Sequence, residues 1–344
     1  MSEQFTRFHY SDVDAENSAS MIEKESKDYL KFGVRYLDDA LIGISKSDVI
    51  LIGGRSGGGK TELATQIGMT NALKGKKVYF FALEAEKGEI SFRIKYKILA
   101  NCYFAEKRYE KKYIAYDHWM AGLLGDAFKP YEAIANDEMR KFSNLRVRYG
   151  SENYTLDDYE KDLEEIKNDA DLVIIDHLHY FDIDESQANA ELKMIVKRIK
   201  ALAMDYRIPV VLVSHIRKMD RRHAGLLPDQ EDFHGSSDII KIATKAITIS
   251  SAHGRKCYQQ GQDEDDMSEI KLTGGSLSFI RAVKNRRNGS VSGPIGLVVF
   301  NHETNSYSRD YYLGQERTED RELCFVAFSK NEKFPLWATG AVNE

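Results

Sequence analysis

A glycine-rich loop between an apolar run and an amphipathic run constrains the fold of this chain more than any other feature. The loop, residues 54–61, reads G-R-S-G-G-G-K-T and matches G-x-x-x-x-G-K-[ST] at every fixed position. Residues 48–52 before it predict a buried strand, and residues 62–67 after it predict a helix. A strand, a glycine-rich loop and a helix N-terminus in this order predict a binding site for the phosphates of a nucleoside triphosphate.

The residue types in this loop suit ATP and Mg²⁺. Glycines allow backbone N–H groups to converge on phosphate oxygens, because side chains would keep the backbone away. Lys60 would supply a positive charge to the β- and γ-phosphates, and the Thr61 hydroxyl would be a Mg²⁺ ligand. The alternative is a glycine-rich turn that matches by chance, and the flanking strand and helix argue against it. The predicted nucleotide-binding residues are Gly54, Arg55, Ser56, Gly57, Gly58, Gly59, Lys60 and Thr61.

Composition and charge exclude several classes of protein. The chain has 344 residues, of which 42% are hydrophobic, enough for a large core. No apolar run approaches the length of a membrane span, and the polar N-terminus lacks the apolar segment of a signal peptide. Its three cysteines form no C-x-x-C pair and suit reduced thiols, so we expect a cytoplasmic protein without membrane contact. A net charge of −5 means that any nucleic-acid binding must come from local basic patches.

Alternating strand-like and helix-like segments predict an α/β fold, with a mostly parallel twisted sheet and helices on both faces. Segments 245–250 and 277–283 predict added antiparallel strands, and the polar segment 254–269 between them predicts a solvated loop. The other strands are predicted at 48–53, 77–82, 144–149, 171–176, 208–214 and 295–300, and helices at 60–74, 87–104, 155–168 and 187–206.

Three polar residues follow predicted strands at the edge where ligands bind in open α/β sheets. Asp176 follows an apolar run and would hold Mg²⁺, directly or through water, and the alternative is a helix cap or turn residue. Glu84 would orient and deprotonate the attacking water, and the alternative is a solvated carboxylate in an acidic turn. His215 would sense the γ-phosphate, and the alternative is a histidine with a structural role.

Six segments of the chain carry a family resemblance: residues 32–44, 81–84, 174–179, 209–215, 235–239 and 284–289. Together they resemble the RecA-like motor domain of DnaB-type replicative helicases, a group that includes phage primase-helicases and the mitochondrial Twinkle helicase. The resemblance covers residues 30–302, and the six segments occur in the family's order. His179 and His215 replace the usual glutamines, and residues 94–145 hold a candidate insertion. No segment resembles a primase or the large N-terminal domain of bacterial members, which predicts a minimal motor or one helped by partners.

The resemblance implies residues that act across a subunit boundary. Segment 284–289 resembles K-x-R-x-x-G, so Lys284 and Arg286 would be the piston lysine and the arginine finger that reach the neighbouring subunit's site. The R-N-G form of bacterial members would select Arg287 instead, and a solvated basic strand end is the other alternative. An arginine that enters a site only upon assembly would make hydrolysis depend on ring formation.

A basic stretch beyond His215 is the predicted DNA contact. Residues 217–223 read R-K-M-D-R-R-H, and loops here line the central channel of the ring in the family that the chain resembles. Such residues would contact the phosphates of single-stranded DNA without reading sequence. The alternative is a solvated charge run, and no stacking aromatic residues interleave the patch. The predicted DNA-binding residues are Arg217, Lys218, Arg221 and Arg222.

As a whole, the resemblance implies a hexameric, ATP-driven helicase that translocates on single-stranded DNA and unwinds duplex during replication. Primase or loader proteins are candidate partners. We predict a lead-in or linker over residues 1–30, one RecA-like ATPase domain over 31–309 and a tail over 310–344. Two other functions remain open at this point: a RecA-type recombination or regulatory ATPase, and a ring module that nucleotide binding merely orders for a partner.

Overall fold

The computed structural model of the chain contains a mixed sheet with helices on both faces. It describes residues 26–106, 113–150, 153–216, 227–233, 237–252, 257–260, 267–269, 277–287, 294–316 and 323–327. The strands are β1 (Val49–Gly54), β2 (Val78–Ala82), β3 (Leu145–Tyr149), β4 (Leu172–Asp176), β5 (Val210–His215), β6 (Lys245–Ser251), β7 (Cys257–Gln260), β8 (Met267–Glu269), β9 (Leu277–Asn285), β10 (Ile295–Asn301), β11 (Ser306–Glu316) and β12 (Leu323–Ala327). The helices are α1 (Arg35–Leu41), α2 (Lys60–Ala72), α3 (Glu89–Glu106), α4 (Tyr116–Met120), α5 (Lys129–Met139), α6 (Leu156–Ile166), α7 (Ala188–Tyr206) and α8 (Ser237–Ile242).

Parallel strands form the part of the sheet that carries the glycine-rich loop. They lie in the order β3-β2-β4-β5-β1-β6, and every neighbouring pair among them is parallel. Strands β1 and β4 are buried at every position, as expected for strands covered by helices on both faces. Strand β9 then pairs antiparallel with β6, followed by antiparallel β10, β11 and β12 and by β7 and β8 at the far end. The predicted α/β fold with added antiparallel strands is confirmed. The prediction for segment 245–250 was wrong in one respect, because this segment forms β6, which is parallel to β1, and the antiparallel part of the sheet begins only at β9.

Strand side chains alternate between two hydrophobic layers. Ile50 and Ile52 of β1 face the layer that contains α1 and α2, whereas Val49 and Leu51 face the layer that contains α6 and α7. Helix α7 has an apolar stripe that belongs to the second layer, and all of its members are buried: Leu192, Ile195, Val196, Ile199, Leu202 and Ala203. Helices thus pack on both faces of the sheet and fix the position of the edge at which the glycine-rich loop lies.

The candidate insertion at residues 94–145 forms a helical layer of its own on the first face. Helices α3 and α5 pack through a separate cluster in which Tyr103 contacts Phe128 and Tyr131, with ring centroids 4.7 and 5.5 Å apart. This aromatic packing explains the tyrosine-rich composition of the segment. No helix among those described is long and apolar enough to cross a membrane.

Two sequence-based expectations about the second half of the chain need revision. The solvated loop predicted at 254–269 was wrong, because β7 and β8 lie within it and pair with each other. Their short polar sequences show no apolar alternation, so only pairing with neighbouring strands reveals them. Strand β11 runs through position 309, so the first residues of the predicted tail belong to the sheet. At the other end, Leu30 is buried and its backbone pairs with Ile44.

A buried ion pair closes the sheet edge opposite the glycine-rich loop. Lys245 begins β6, and its Nζ donates to Asp48 Oδ2 at 2.7 Å and to the Gly43 carbonyl at 2.6 Å. Asp48 also accepts bonds from the backbone N–H and the hydroxyl of Ser45, each at 2.8 Å. Burial lowers the pKa of Lys245, while the charge of Lys245 holds the pKa of Asp48 below its usual range against the effect of burial. The contact with Lys245 therefore favours the ionised form of Asp48 despite its burial.

Replacing Lys245 by methionine should lower the free energy of unfolding by about 3 to 5 kcal/mol, because it leaves the Asp48 carboxylate buried without its counter-charge. Chemical denaturation of the variant and of the parent protein measures this difference. The matched control is Lys241→Met, whose pairing with Asp238 is exposed and should change stability by no more than about 0.5 kcal/mol. Equal effects of the two substitutions would show that the buried pair contributes no more than a surface pair.

Candidate nucleotide-binding site

The backbone of the glycine-rich loop requires glycine at several of its positions, for different reasons. Gly57 and Gly59 have φ angles of 72° and 90°, in the left-handed region that favours glycine. At Gly54, an added Cβ would lie 2.9 Å from the carbonyl oxygen of Ile249 on the adjacent strand β6. The loop therefore connects the end of β1 to the start of α2, whose N-terminal N–H groups point toward the loop.

Lys60 is held inside this loop. It is 7% exposed, its Nζ donates to the Arg55 carbonyl at 3.1 Å, and the same Nζ lies 3.3 Å from Nδ1 of His215. Burial lowers the pKa of Lys60, while the nearby carboxylates of Asp176 and Glu84 oppose that change. The Lys60 ammonium group could therefore bind an anionic ligand with little rearrangement of its side chain.

Asp176 and Thr61 provide the oxygen atoms that Mg²⁺ would need. Asp176 ends β4 with 5% exposure and accepts a hydrogen bond from Thr61, while its Oδ1 has no hydrogen-bond partner among the described residues. Burial raises the pKa of Asp176 to about 6, and the charge of Glu84 adds to the increase. A buried carboxylate oxygen without a partner, next to a hydroxyl, fits a hard divalent cation. Thr61 and Asp176 would hold Mg²⁺, which would neutralise charge on the phosphates.

Backbone pairing brings Glu84 next to Asp176. Ala82 of β2 lies opposite Asp176 of β4, and the N–H groups of Leu83 and Glu84 lie 2.8 and 3.4 Å from the Asp176 carbonyl oxygen. The Glu84 side chain is half exposed, and its Oε2 lies 2.9 Å from Nε2 of His177. Glu84 is thus anchored by its backbone and by one buried ring, with its carboxylate open to the cleft.

His215 reaches the same cleft from β5. It lies opposite Gly54 in the parallel pairing of β5 with β1, so strand register sets it beside the loop. Its two ring nitrogens contact different residues: Nδ1 faces Lys60, and Nε2 lies 3.0 Å from Nε2 of His177. The predicted loop residues, Asp176, Glu84 and His215 are therefore all brought together at one edge of the sheet.

His177 is the site residue that the sequence reasoning missed. It is 3% exposed, and its ring lies between Glu84 and His215. Burial lowers the pKa of His177 to about 3, with further contributions from His215, His179 and Lys60, so the ring is neutral. The sequence signal for His177 was its position directly after Asp176, where β4 ends at the edge that binds ligands. A polar residue at that position is a candidate site residue for the same reason as the aspartate.

Arg93, in helix α3 after Glu84, ties that helix to the site. Its guanidinium bonds Glu62 Oε1 at 2.6 Å and Glu89 Oε1 at 2.8 Å. Glu62 lies in the first turn of α2, directly after Lys60 and Thr61. Arg93 thus links α3 to the helix that begins at the glycine-rich loop, and so fixes the segment that carries Glu84.

Lys284 and Arg286 lie at the opposite edge of the sheet. Because β9 is antiparallel to β6, Asn285 pairs with Lys245 at the start of β6, whereas the glycine-rich loop lies near the end of the parallel strands. A strand of this length spans about 20 Å. These two residues are therefore not brought to the site of their own subunit.

The basic residues at this edge differ in how they are held. Lys284 Nζ donates to the carbonyls of Ile240 and Lys241, at 2.5 and 3.0 Å, near the end of α8. The Arg287 guanidinium bonds the Tyr29 hydroxyl and lies 5.3 Å from the centroid of the Tyr29 ring. Arg286 is exposed, and its backbone N–H donates to the Thr244 carbonyl. A cavity of about 570 Å³ at this edge is lined by Arg286 and Arg287 and by Lys46, Lys200, Arg207 and Lys245 among other residues.

The predicted DNA-binding residues Arg217, Lys218, Arg221 and Arg222 lie outside the described residues. The described chain shows only where this segment starts and returns. It starts after Ile216, which forms a β-bridge with Phe233, and resumes at residue 227. Because β5 ends at His215, the segment begins within two residues of the nucleotide site.

The groups at this edge fit the binding of a nucleotide's phosphates, and comparison with known families identifies the family of the chain. The family model described as DnaB-like helicase C terminal domain matches residues 30–308. The chain belongs to this family. The match spans the whole parallel sheet, the glycine-rich loop and the basic edge carried by β9.

Curated relatives and a solved structure agree with this assignment. A probable replicative DNA helicase of Guillardia theta is 29% identical over 189 residues, which cover 53% of this chain and 29% of that protein. One from Trieres chinensis is 24% identical over 296 residues, which cover 83% of this chain and 58% of that protein. A structure of a DnaB-like replicative helicase with its primase interactions superposes with a TM-score of 0.66 at 16% identity, covering 87% of this chain and 67% of that one. The chain thus spans less than two thirds of the length of these two curated relatives, and the structural likeness shows the fold.

Proposed function

We propose that this chain is an ATP-driven DNA helicase motor that hydrolyses ATP between the subunits of a ring and translocates on single-stranded DNA. The observation that carries the proposal is the convergence of four groups at one sheet edge: Lys60, Thr61, Asp176 and Glu84. They supply a charge for the phosphates, two ligands for Mg²⁺ and a base for water. Membership of the DnaB-like helicase family supports this use of the site.

The chemistry that these residues perform is largely positioning. Lys60 and the loop N–H groups bind the β- and γ-phosphates, and Glu84 orients the attacking water and accepts its proton. His215 lies beside the loop, where it would contact the γ-phosphate and so distinguish ATP from ADP. Thr61 and Asp176 would hold Mg²⁺, which would supply positive charge to the phosphate oxygens.

The ring requirement rests on the opposite sheet edge. Arg286 is about 20 Å, one strand length, from its own glycine-rich loop, so it can serve only the site of a neighbouring subunit. Arg287 stacks on Tyr29 and would have to break that contact to reach a neighbour, which favours Arg286 as the finger. Lys284 would likewise have to leave the carbonyls of α8 to act in the neighbour's site. A hexamer is the ring size that the family resemblance implies.

DNA and protein partners complete the proposal. Arg217, Lys218, Arg221 and Arg222 would contact phosphates in the channel of the ring, which predicts salt-sensitive binding to single strands. One structural neighbour is a DnaB-like helicase described with its primase interactions, and a primase or a loader is the partner class that we propose here. Such a motor would act on replicating DNA in the cytoplasm.

A strand-displacement assay tests the function. The protein, ATP and Mg²⁺ should release the labelled strand of a forked duplex, and Lys60→Ala should release none because phosphate binding is lost. Lys76→Ala is the matched control, since this lysine lies beyond the end of α2. ATP hydrolysis without strand release, accompanied by helical filaments or strand exchange, would instead favour a recombination or regulatory ATPase. Strand release that survives Lys60→Ala would contradict the proposal.

A further inference from the structure

A chain of contacts joins the glycine-rich loop to the proposed base. Nζ of Lys60 lies 3.3 Å from Nδ1 of His215, and Nε2 of His215 lies 3.0 Å from Nε2 of His177. The same Nε2 of His177 lies 2.9 Å from Oε2 of Glu84. Nε2 of the buried His177 thus contacts both His215, which is assigned to the γ-phosphate, and Glu84, which is assigned to the attacking water.

Hydrogen-bond accounting fixes the tautomer of His177. Its Nδ1 accepts the backbone N–H of His179 at 3.2 Å, so the proton of the neutral ring is on Nε2. That single N–H has two acceptors within reach, the Glu84 carboxylate and Nε2 of His215. The two acceptors therefore compete for one donor.

The state of His215 decides this competition. Lys60 is only a donor, so while it faces Nδ1 of His215 it favours the tautomer with the proton on Nε2. Two N–H groups would then face each other between the rings, and His177 donates to Glu84 instead. A phosphate oxygen is only an acceptor, so it favours the proton on Nδ1 of His215, which leaves Nε2 free to accept from His177.

We propose that His177 is a positioning residue that shares its Nε2–H between Glu84 and His215, so that contact of the γ-phosphate with His215 changes how the base is held. This inference rests on the proposed function, because it takes Glu84 as the base and His215 as the γ-phosphate contact. Without a γ-phosphate, the carboxylate is bonded to His177. With one, the N–H turns to His215 and the carboxylate is released to accept from water.

A metal ion is the other ligand class that three such donors suggest. The donor atoms of Glu84, His177 and His215 lie within 4.8 Å of one another, close enough for a transition metal. A metal would need the lone pair of His177 Nε2, and that nitrogen carries a proton while Nδ1 accepts from His179. The Lys60 ammonium beside His215 also opposes a second cation. The contacts therefore favour a hydrogen-bonded chain over a metal site.

Three variants test the proposal by steady-state ATP hydrolysis. His177→Phe removes the donor and should lower kcat by about 10- to 100-fold with KM changed by less than about 3-fold, since the base is misplaced while the phosphate-binding groups remain. His177→Gln keeps an N–H near the same position and should retain kcat within about 3-fold of the parent. His118→Phe is the matched control at a histidine of α4 outside the site.

A double-mutant cycle with His215→Ala separates linkage from simple packing. If the two histidines act through one chain of contacts, their effects on kcat should not multiply. The kcat of the double variant His177→Phe/His215→Ala should then be at most about 3-fold lower than that of the slower single variant. Multiplied effects of the two substitutions, or parent-like kcat in His177→Phe, would overturn the inference. The proposed function is judged separately, because it fails if the parent protein does not hydrolyse ATP or if Glu84→Gln keeps its activity.

Discussion

Glu84→Gln is expected to lower kcat for ATP hydrolysis by about 10²- to 10⁴-fold while ATP affinity stays within a few-fold of the parent protein. The amide keeps the size and the hydrogen-bonding reach of the side chain but cannot accept a proton from water. Lys60 and the loop, which bind the phosphates, are unchanged. Single-turnover hydrolysis gives the chemical step, and binding of a fluorescent ATP analogue gives the affinity.

Glu86→Gln provides the matched control for this experiment. Glu86 is an exposed carboxylate two residues along the same turn, and its substitution should leave kcat unchanged. If Glu84→Gln and Glu86→Gln both hydrolyse ATP at the parent rate, Glu84 is the solvated carboxylate that the sequence also allowed. A loss of ATP binding in Glu84→Gln would assign the residue to binding rather than to water activation.

Arg286→Ala should lower ATP turnover of assembled rings by about 10³- to 10⁵-fold without weakening ATP binding, because a finger stabilises charge that develops only in the transition state. The residue lies at the sheet edge opposite its own loop, so the loss should appear only in the assembled species. Turnover is measured on fractions whose ring mass has been verified by light scattering.

Arg287→Ala distinguishes the two candidate fingers. Its guanidinium contacts Tyr29 within its own subunit, so its replacement should reduce turnover much less than Arg286→Ala does. The reverse order of effects would assign the finger to Arg287 and indicate that the Tyr29 contact is broken on assembly. Full turnover in rings of both variants would mean that this basic strand end is only solvated.

The sequence was informative where local chemistry and strand order decide the structure. The conformation of the loop at 54–61 could be predicted from its residues, since Gly57 and Gly59 adopt positive φ angles and α2 begins at Lys60. Strands of four or more apolar residues, such as β4, could be predicted because burial on both faces demands them. Asp176, Glu84 and His215 then converge because the ends of parallel strands meet at one edge.

What the sequence could not reveal depends on contacts between distant segments. Strands β7 and β8 have polar sequences and exist through pairing with each other and with β12. The role of His177 depends on side-chain contacts with Glu84 and His215, which lie 93 and 38 residues away along the chain. The hydrogen bond between Arg287 and Tyr29 joins residues that are 258 positions apart in the sequence. No local pattern carries such information.

The central claim is that this chain is a ring motor driven by ATP on single-stranded DNA. Its most direct test is ATP hydrolysis by the purified protein, measured with and without single-stranded DNA while the oligomer mass is followed in the same samples. The account predicts turnover that DNA strongly stimulates and that belongs to a species of six-subunit mass. Turnover that is indifferent to DNA and to assembly, or ATP binding without turnover, would contradict it and would favour a regulatory ATPase or a partner-dependent module.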